Sequence, residues 1–504
     1  MESQLLKGLR SSRALGIFVF VAVLLSGFSF YYLRLGADLT ASLLPGHATD
    51  ASAQPTKSTP PLDRSHLRET VRYFEDYPFT TPFREKFGDA GARTRIVKDW
   101  LVRSEETEDA EEKAVLAEAV EQAIVAIYPF LQNPPSNPAS ETPLADLRSS
   151  FESGSAGIVI TTGDATLRYS SHLIVSLRSV LNSTLPIQIV YAGDRDLSAN
   201  SRMRLARMVT AGPALEFIDM NTVFDNTTLH FHENHGGWAM KAFAVLGSRF
   251  ERVMLIDADA VFLQPPEVFL EHPAFLRTGT LLFHDRLLWK GEFADRHSWW
   301  RSQIRHPSPA LHSSLVWTED YAEEGDSGVV VLDKSRVDVL MGLLHISWQN
   351  SFPVRESITY KITYGDKETW WFGLELAGAT YEFEKHYGAI VGWEETDEEG
   401  RRKVCSFVIA HVDEKDQLLW YNGGLLKNKA LEEMKNVYQV PQKWMVDAEW
   451  KKGIAKSDMS CMVGGEVHDL TPKELDTLAQ AIEQAKKVDA DLERPWRGAE
   501  VTAG

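Results

Sequence analysis

The sequence is poor in cysteine and lacks an excess of positive charge. Cys405 and Cys461 are the only cysteines among 504 residues, which excludes a cysteine-based zinc site and a disulfide-rich scaffold. In an oxidising compartment they would form one disulfide, and otherwise they would remain two free thiols. The formal net charge of −18 argues against nucleic acid as the main partner. The length suffices for one large domain with attachments.

Charged residues are absent from one long stretch near the N-terminus. Residues 14–33 (ALGIFVFVAVLLSGFSFYYL) form an uncharged run that is long enough, as a helix, to cross a bilayer core. Lys7, Arg10 and Arg13 precede it, so the N-terminal end is expected to stay cytoplasmic. We predict a cytoplasmic tail over 1–13, a transmembrane signal-anchor helix and a lumenal chain after it. A cleaved signal peptide, whose apolar core is shorter, is the competing interpretation.

The rest of the chain divides by composition and periodicity. Residues 34–65 are rich in alanine, serine, threonine and proline, which is typical of a stem or linker. Residues 66–150 are expected to be mostly helical, and Ser104 is a candidate helix N-cap there. From 151 to 464 apolar strands alternate with amphipathic helices, which indicates one large α/β domain. Residues 465–504 contain a capping box that begins a C-terminal helix, followed by a tail.

Four short apolar runs follow one another in the central region. They cover 157–162, 186–191, 215–218 and 253–256, and helical patterns separate them. This alternation predicts a series of βαβ units and therefore an α/β fold with a mostly parallel, Rossmann-like sheet flanked by helices. Open sheets of this kind bind ligands outside the carboxyl ends of their strands. Candidate site residues are therefore sought directly after each strand.

Two aspartates directly follow the most apolar of these strands. Residues 253–256 (VMLI) are succeeded by Asp257, Ala258 and Asp259. In extended backbone, residues i and i+2 point the same way, so both carboxylates are expected to converge on one point. Their mutual repulsion would be relieved by a hard divalent cation such as Mg²⁺ or Mn²⁺ holding a diphosphate. A solvated acidic turn is the alternative interpretation.

Other polar residues near strand and helix ends are further candidates. Each has a plain alternative: turn chemistry for the residues after a strand, helix N-capping for Asp366, and an exposed helical position for Lys241. Two glycosylation sequons begin at Asn182 and Asn226, and they fit a lumenal placement. The candidates are Thr161, Thr162, Gly163, Lys241, Asp326, Ser327, Gly328, Asp366, Glu368 and His411.

The order of these motifs resembles that of a known family. An N-terminal anchor is followed in order by TTGD, WAMKAF, LIDADAVFL, DSGVVVLDK, GDKETWW and LLWYNGG, over roughly 157–424. Together they resemble the fungal Golgi α-1,3-mannosyltransferase family, which extends mannose glycans. The resemblance implies that 151–464 is the catalytic domain with a GT-A glycosyltransferase fold. It implies GDP-mannose as donor and a mannose-containing glycan as acceptor. It also implies Mn²⁺, or Mg²⁺, as cofactor, retention of anomeric configuration and a single-pass type II placement in the Golgi membrane.

The resemblance also implies a metal and donor site. Asp257 and Asp259 would hold the cation and the donor diphosphate or ribose. His411 would be a third metal ligand, with a structural histidine as the alternative. The residues expected on the donor side are Thr161, Thr162, Gly163, Lys241, Asp257, Ser327 and Gly328.

Three further carboxylates are expected near the sugars. The resemblance implies that Asp326 hydrogen-bonds the donor sugar, while Asp366 and Glu368 lie near the sugar or the acceptor. An acceptor hydroxyl would attack the anomeric carbon on the same face of the sugar from which the GDP leaving group departs. Asp366 would stabilise the oxocarbenium-like centre or orient the acceptor, so positioning and electrostatics would supply most of the catalysis.

Three other functions remain compatible with parts of the sequence. The D-x-D motif after an apolar strand also occurs in haloacid-dehalogenase-type phosphatases, although those enzymes carry it on their first strand. A non-catalytic Golgi subunit of a mannosyltransferase complex would keep the anchor and fold. The same fold could also use a UDP-sugar donor, because base and sugar selection depend on loop contacts.

Overall fold

The computed structural model of the protein describes residues 61–233 and 235–494. The chain divides into two compact units, Met1–Pro61 and Leu62–Gly504, and the second is described below. The predicted tail, membrane span and most of the stem lie outside the described residues. Within the described part of the chain, no helix has the length and apolar character that crossing a membrane requires. The membrane anchor therefore stays a prediction.

The described chain begins with a group of helices. They are α1 (Arg64–Asp76), α2 (Phe87–Glu106), α3 (Ala110–Ile127) and α4 (Pro143–Ser149), with a 3₁₀ turn at Pro129–Leu131. The N-cap predicted at Ser104 is wrong, because Ser104 lies within α2 and its hydroxyl donates to the Leu101 carbonyl. Asp109 caps α3 instead, and its carboxylate accepts from the backbone N–H groups of Glu111 and Glu112.

A six-stranded mixed sheet forms the centre of the protein, which confirms the predicted α/β class. Its strand order is β3-β2-β1-β4-β7-β6. The first four strands are parallel, whereas β7 runs antiparallel to both β4 and β6. The strands of this half of the chain are β1 (Glu152–Thr161), β2 (Ile187–Tyr191), β3 (Glu216–Asp219), β4 (Phe250–Ile256), β5 (Ala260–Phe262), β6 (Thr280–His284) and β7 (Gly325–Asp333).

Helices connect these strands and cover the sheet. The connecting helices are α5 (Leu167–Ser179), α6 (Ala199–Met208), α7 (Asn226–Leu229), α8 (Gly236–Gly247), α9 (Pro273–Thr278), α10 (Ala294–Gln303), α11 (Pro309–Ser313), α12 (Leu315–Glu319), α13 (Val337–Gln349), α14 (Phe352–Val354), α15 (Tyr360–Ile362) and α16 (Thr369–Ala377). Two 3₁₀ segments lie at Met220–Thr222 and Pro266–Glu271, and a π-helical turn at Arg355–Thr359 joins α14 to α15.

Strand β4 is buried on both faces, as its uniformly apolar sequence predicts. Val253 and Leu255 lie in the core that contains α8, α13 and the N-terminal helices. Met254 and Ile256 lie in the opposite core, which contains α5 and β5. All four are fully buried, and each contributes on the order of 1.5–3 kcal/mol to folding. This burial fixes the position of the two aspartates that follow.

The rest of the chain forms smaller antiparallel sheets and a final helix. Strand β5 pairs with β11, which also pairs with β10, and the other strands form a separate six-stranded sheet. A disulfide joins Cys405 to Cys461 across β9 and β14, which decides between the two states left open by the sequence. These elements are β8 (Ile390–Thr396), β9 (Arg402–Ser406), β10 (Ile409–Val412), β11 (Leu418–Asn422), β12 (Lys443–Met445), β13 (Glu449–Lys451), β14 (Ser460–Val463), β15 (His468–Asp469) and α17 (Pro472–Glu493).

The C-terminal helix packs on the helix that follows β1. The hydroxyl of Thr471 and the carboxylate of Glu474 form the predicted capping box of α17. Near the other end of α17, Asp489 accepts from Arg168 Nη2 at 2.6 Å and lies 2.8 Å from His172 Nε2, both on α5. The last helix is therefore fixed to the central sheet through α5.

Candidate active site

The candidate site lies where β4 ends and β7 begins. The backbone N–H of Asp257 donates to the Gly328 carbonyl at 2.8 Å. Antiparallel pairing of Ile256 with Val329 brings the two segments together. The aspartate pair after β4 and the Asp326-Ser327-Gly328 segment therefore meet at one edge of the sheet. This is the edge at which open α/β sheets bind ligands.

Lys241 lies in the middle of this cluster and is almost fully buried. Its Nζ lies 2.6 Å from Asp257 Oδ1 and 3.6 Å from Asp366 Oδ1. It also donates to the carbonyl and the hydroxyl of Ser327, both at 3.3 Å. The alternative of an exposed helical lysine is therefore wrong. Lys241 instead links α8, the end of β4, the start of β7 and the loop before α16.

Opposed electrostatic effects act on Lys241. Burial lowers the pKa of its ammonium group, but the nearby carboxylates of Asp257 and Asp366 outweigh burial and raise that pKa above its ordinary value. Burial raises the pKa of Asp257; Lys241 opposes this increase, whereas Asp366 and Asp326 add to it. One buried ammonium thus faces three carboxylates, so the cluster retains negative charge.

Asp326 is held by hydrogen bonds on both carboxylate oxygens. Oδ2 lies 3.0 Å from His411 Nε2, while Oδ1 accepts from the Gly328 N–H at 2.9 Å and from Asn422 Nδ2 at 3.3 Å. Burial raises the pKa of Asp326, but these bonds, with His411 first, bring it below its ordinary value. His411 stacks on Trp420 at a ring distance of 4.3 Å. The carboxylate of Asp326 is therefore ionised and fixed in orientation.

The carboxylate of Asp366 points towards the cluster and does not cap a helix. Helix α16 begins at Thr369, and no side chain caps its N-terminus. Asp366 Oδ2 instead accepts from Trp370 Nε1 at 2.9 Å, while Oδ1 lies near Lys241. The N-cap alternative for Asp366 is therefore wrong. The indole fixes one oxygen and leaves the other on the side of the buried lysine.

Glu368 has a different environment from Asp366, although only one residue separates them. Its Oε1 accepts from the N–H groups of Glu324 at 3.0 Å and Gly325 at 3.2 Å, and its Oε2 accepts from Trp371 Nε1 at 2.7 Å. Burial raises the pKa of Glu368 to about 7. These contacts hold the start of β7 and make Glu368 a positioning residue. A direct catalytic role for Glu368 stays a prediction.

The residues after β1 lie at the same sheet edge as Asp257. Val159 pairs with Leu255 in parallel register, so Thr161 and Asp257 both follow two residues later. Thr162 Oγ1 lies 2.8 Å from Thr166 Oγ1, and a Cβ on Gly163 would lie 2.3 Å from Asp196 Oδ1. Glycine is required at this close approach. Turn chemistry is thus present, and the nucleotide role of Thr161, Thr162 and Gly163 stays a prediction.

Asp257 and Asp259 are held by different lysines. The extended backbone expected between them is wrong, because the Ala260 N–H donates to the Asp257 carbonyl at 3.0 Å and closes a turn. Asp259 forms an ion pair with Lys429, and its carbonyl accepts from the Gly423 N–H at 3.3 Å. Among the described residues, no group of three or more histidine, cysteine, aspartate or glutamate side chains has a metal-binding arrangement. His411 Nε2 is engaged with Asp326. Its role as a metal ligand therefore stays a prediction.

The donor set of the cluster nevertheless suits a hard cation. The carboxylates of Asp257, Asp326 and Asp366 act on Lys241, while Lys429 pairs with Asp259 and is also within electrostatic range of Asp257. Carboxylate oxygens are the ligands that Mg²⁺ prefers and that also suit Mn²⁺. The excess of negative charge means that a divalent cation at Asp257 and Asp259 would relieve repulsion and not create it.

Several residues of the site have no recognisable signal in the sequence. Asn422 lies within the LLWYNGG motif, but only the fold brings it to Asp326. Lys367 lies 2.6 Å from Glu323 Oε2 and also forms an ion pair with Asp285. Burial lowers the pKa of Lys367, but these acids outweigh it and raise that pKa. A lysine inside GDKE suggests a surface residue, so only tertiary structure reveals this second buried ion pair.

Comparison with known proteins identifies the family. A family model described as "Mannosyltransferase putative" matches residues 155–413, just over half of the chain. The chain belongs to this family. The match contains every candidate site residue described above except Asn422 and Lys429. The resemblance drawn from the motifs, to fungal α-1,3-mannosyltransferases, is confirmed.

Three relatives from Saccharomyces cerevisiae illustrate the similarity. The α-1,3-mannosyltransferase MNT3 is 27% identical over 355 residues, which cover 60% of this chain and 54% of MNT3. Two other α-1,3-mannosyltransferases, MNT2 and MNN1, are 29% and 25% identical to this chain, and the matches cover 54% and 53% of it. The matches cover 52% of MNT2 and 40% of MNN1. The match thus spans about half the length of these relatives.

Solved structures show only distant likeness. The WbbM bifunctional glycosyltransferase has a TM-score of 0.30 at 15% identity, with 46% of this chain and 39% of WbbM covered. The galactosyltransferase LgtC, solved with donor and acceptor sugar analogues, has a TM-score of 0.29 at 13% identity, with 44% and 70% covered. TM-scores this low do not assign a fold family, so the GT-A fold stays a prediction.

Proposed function

We propose that this protein transfers mannose from GDP-mannose to a mannose hydroxyl of a glycan, with α-1,3 linkage and retention of configuration. The observation that carries the proposal is the buried Lys241, which connects Asp257 after β4 to Asp366 beside the start of β7. Family membership supplies the reaction class. For packing alone, apolar residues would stabilise this position as well as or better than a charged lysine surrounded by carboxylates.

The residues of the cluster divide the work between the two substrates. Lys241 carries a fixed positive charge at the sheet edge where the donor diphosphate would bind. Asp326, held by His411 and Asn422, is oriented to accept from hydroxyl groups of the donor sugar. Asp366, fixed by Trp370, supplies negative charge near the anomeric carbon or orients the acceptor hydroxyl. Such preorganised charges stabilise a transition state without reorganisation cost.

A divalent cation is part of the proposal. Asp257 and Asp259 would hold Mn²⁺, or Mg²⁺, because they place two hard oxygen ligands at the end of β4. When bound, the cation supplies positive charge to the diphosphate leaving group. Asp259 would then exchange its ion pair with Lys429 for the cation. His411 keeps Asp326 ionised and oriented, whether or not it also contacts the metal.

We further propose that the chain is a type II membrane protein of the Golgi with a lumenal catalytic domain of GT-A type. The disulfide between Cys405 and Cys461 supports an oxidising compartment. The exposed Asn182 suits glycosylation, whereas the amide oxygen of Asn226 accepts from the Phe231 N–H at 2.9 Å. Four parallel strands followed by an antiparallel strand at the site edge support the GT-A assignment.

A donor screen tests the proposal. The full chain would be incubated with Mn²⁺, an α-mannoside acceptor and either GDP-mannose or UDP-sugars, followed by linkage analysis of the product. We expect transfer from GDP-mannose alone and an α-1,3 product. Transfer from a UDP-sugar would show that GDP-mannose is the wrong donor. Hydrolysis of a phosphate ester would favour the phosphatase alternative. If no donor is bound or used, the non-catalytic subunit becomes the better account.

Substitution of Asp257 gives a sharper test. Asp257→Asn keeps the shape of the side chain but removes one of the two charges proposed to hold the cation, so transfer should fall by about 100-fold or more. The metal-free melting temperature should change little, because the amide still accepts from Lys241. Asp491→Asn, on the exposed end of α17, is the matched control and should retain full activity. An active Asp257→Asn enzyme would contradict the metal role.

A further inference from the structure

An exposed aromatic cluster lies directly beside the candidate active site. His235 and Trp238 stack at a ring distance of 5.3 Å, and Trp238 contacts Tyr364 at 5.3 Å and Tyr360 at 6.3 Å. Trp238 is 37% exposed and Tyr364 is 68% exposed. By contrast, the tryptophans of α10 and α16 are at most 4% exposed. Large aromatic side chains exposed together often mark a binding surface.

The sequence positions of these rings connect the cluster to the charged residues. Trp238 and Lys241 are three residues apart on α8, which places them on the same side of the helix. Tyr364 is separated from Asp366 by Gly365 alone. Gly365 has a φ of +67°, and a Cβ there would lie 2.9 Å from the Trp238 ring. The indole therefore packs directly on the backbone that carries Asp366.

Buried hydrogen bonds hold the cluster rigidly. Arg355 donates to the carbonyls of Leu229, His230 and Asn350 at 2.7, 2.9 and 3.1 Å. Tyr360 donates its hydroxyl to Asn350 Oδ1 at 2.6 Å. Arg355 also begins the π-helical turn that leads to Tyr360, and such turns frequently occur at functional sites. The exposed rings thus stand on a fixed support, which lowers the entropic cost of binding.

The loop that carries Tyr364 and Asp366 lies on the β7 side of the site. Strand β7 lies on one side of β4, and β1 and β2 lie on the other. The Asp366 loop borders β7, because a Cβ on Gly325 would lie 3.0 Å from the Lys367 carbonyl. A donor nucleotide at the β1 and β2 side would therefore leave the loop of Tyr364 open to the second substrate.

We propose that Trp238 and Tyr364 form a platform for a pyranose ring of the acceptor glycan. This inference rests on the proposed function. The C–H groups on one face of a pyranose carry slight positive charge and pack on the negative face of an aromatic ring. Lys367 Nζ lies 5.9 Å from the Tyr364 ring and 2.6 Å from Glu323 Oε2. An ammonium group and a carboxylate thus border the platform, where ring hydroxyls need hydrogen-bond partners.

Kinetics with separate donor and acceptor readouts test the platform. Tyr364→Ala and Trp238→Ala would be compared in the full chain, with GDP-mannose as donor and methyl α-mannoside as acceptor. Release of free mannose, with water as acceptor, would be measured in parallel. We expect the acceptor KM to rise about tenfold in both alanine variants, while the donor KM and mannose release of Tyr364→Ala remain within about twofold. Tyr364→Phe, which keeps the ring, should restore the parental acceptor KM.

The matched control is Tyr77→Ala, at a tyrosine that is 61% exposed next to α1, which should change neither KM. An unchanged acceptor KM in both alanine variants would overturn the proposal. Equal losses of mannose release and transfer would also overturn it, because they would indicate that the rings only support the site. A selective rise in the donor KM would assign the rings to the nucleotide base.

Binding measurements separate this inference from the proposed function. Saturation-transfer NMR with methyl α-mannoside and the parental chain requires no turnover. If the parental chain shows a signal that Tyr364→Ala loses and Tyr364→Phe keeps, the platform stands even when no donor is used. If the parental chain transfers mannose but Tyr364→Ala binds the mannoside equally well, the platform is wrong and the proposed function stands. Absence of a mannoside signal in the parental chain would also overturn the platform.

Discussion

Two buried lysines, one on α8 and one beside the C-terminal end of α8, have opposite electrostatic environments. Lys241 and Lys334 are only 6% and 1% exposed. Lys241 lies among carboxylates, which raise its pKa, although burial alone would lower it. Lys334 donates to the carbonyls of Leu246 and Ser248 at the C-terminal end of α8 and lies 3.7 Å from the Phe151 ring centre. Burial lowers the pKa of Lys334 well below its ordinary value.

The two lysines differ in their surroundings because they lie at opposite ends of β7. This strand begins with the Asp326 segment at the candidate site and ends at Asp333, next to Lys334. At the first end, an ammonium group lies among carboxylates that compensate its charge; at the second, a lysine serves as a hydrogen-bond donor in a packed interior. Burial therefore does not identify a functional lysine. A buried charge that neighbouring carboxylates stabilise at a sheet edge supports the proposed function of Lys241, because such groups cluster at functional sites.

The largest effect is expected for Lys241→Met. Removal of the ammonium leaves Asp257 and Asp366 facing each other without compensation, which should cost about 3–5 kcal/mol of stability. Transfer should fall by about 1000-fold. The measurements are kcat/KM with GDP-mannose and urea unfolding. Lys334→Met is the matched control and should leave kcat/KM within about twofold. Similar losses of transfer in both variants would abolish the distinction between the two lysines.

A smaller effect is expected at His345, which is buried, like Lys334, and has no carboxylate facing it. Its Nε2 lies 3.1 Å from the Phe87 carbonyl, and burial lowers its pKa to about 4. The unfolded chain takes up the proton near pH 6.5, before the folded chain does. Stability should therefore fall as pH drops from 6.5 to 4, by about 3 kcal/mol in total.

Urea unfolding across this pH range checks the sign and size of the effect. His345→Leu, with no titrating group, should lose most of the acid dependence that is due to this position. Its stability at pH 7.5 is expected to fall as well, because the Phe87 carbonyl loses a donor. If the free energy of unfolding of the parental chain depended on pH no more steeply than that of His345→Leu, the pKa of His345 would not be lowered in the folded state.

The core of the site could be predicted because local sequence encodes it. The apolar residues of β4 require burial on both faces, and Asp257 and Asp259 necessarily follow at the strand end. The DSG segment was also recognisable, since small residues before an apolar strand indicate close backbone contact. The antiparallel orientation of β7 carried no such signal, because a buried strand has the same composition in either direction.

Long-range contacts could not be predicted from periodicity. Lys429 reaches Asp259 from a loop far along the chain, and nothing local distinguishes it from surface lysines. Lys241 looked equally like an exposed helical residue, since only the packing of α8 against the sheet decides its burial. The helix cap at Asp109 was missed in favour of Ser104, because both residues precede acidic residues and the propensities for capping are similar.

The smallest effect separates Glu368 from Asp366. Asp366→Asn should reduce transfer by about 100-fold, since its carboxylate faces Lys241. Glu368→Gln should reduce it by about tenfold or less, because Oε1 can still accept from the N–H groups of Glu324 and Gly325. The bonds that Oε2 accepts from Trp371 and from the Glu324 N–H are lost. The measurement is kcat/KM for both variants at one pH.

A pH profile of stability makes the distinction between the two roles independent of activity. The folded chain binds a proton at Glu368 near pH 7, whereas an unfolded glutamate does so near 4.5. The parental chain should therefore gain stability as pH falls from 7 towards 4.5, and Glu368→Gln should lack this gain. A Glu368→Gln chain that kept the parental pH profile would show that the pKa of Glu368 is not raised in the folded chain. If Glu368→Gln lost as much transfer as Asp366→Asn, the assignment of Glu368 as a positioning residue would be wrong.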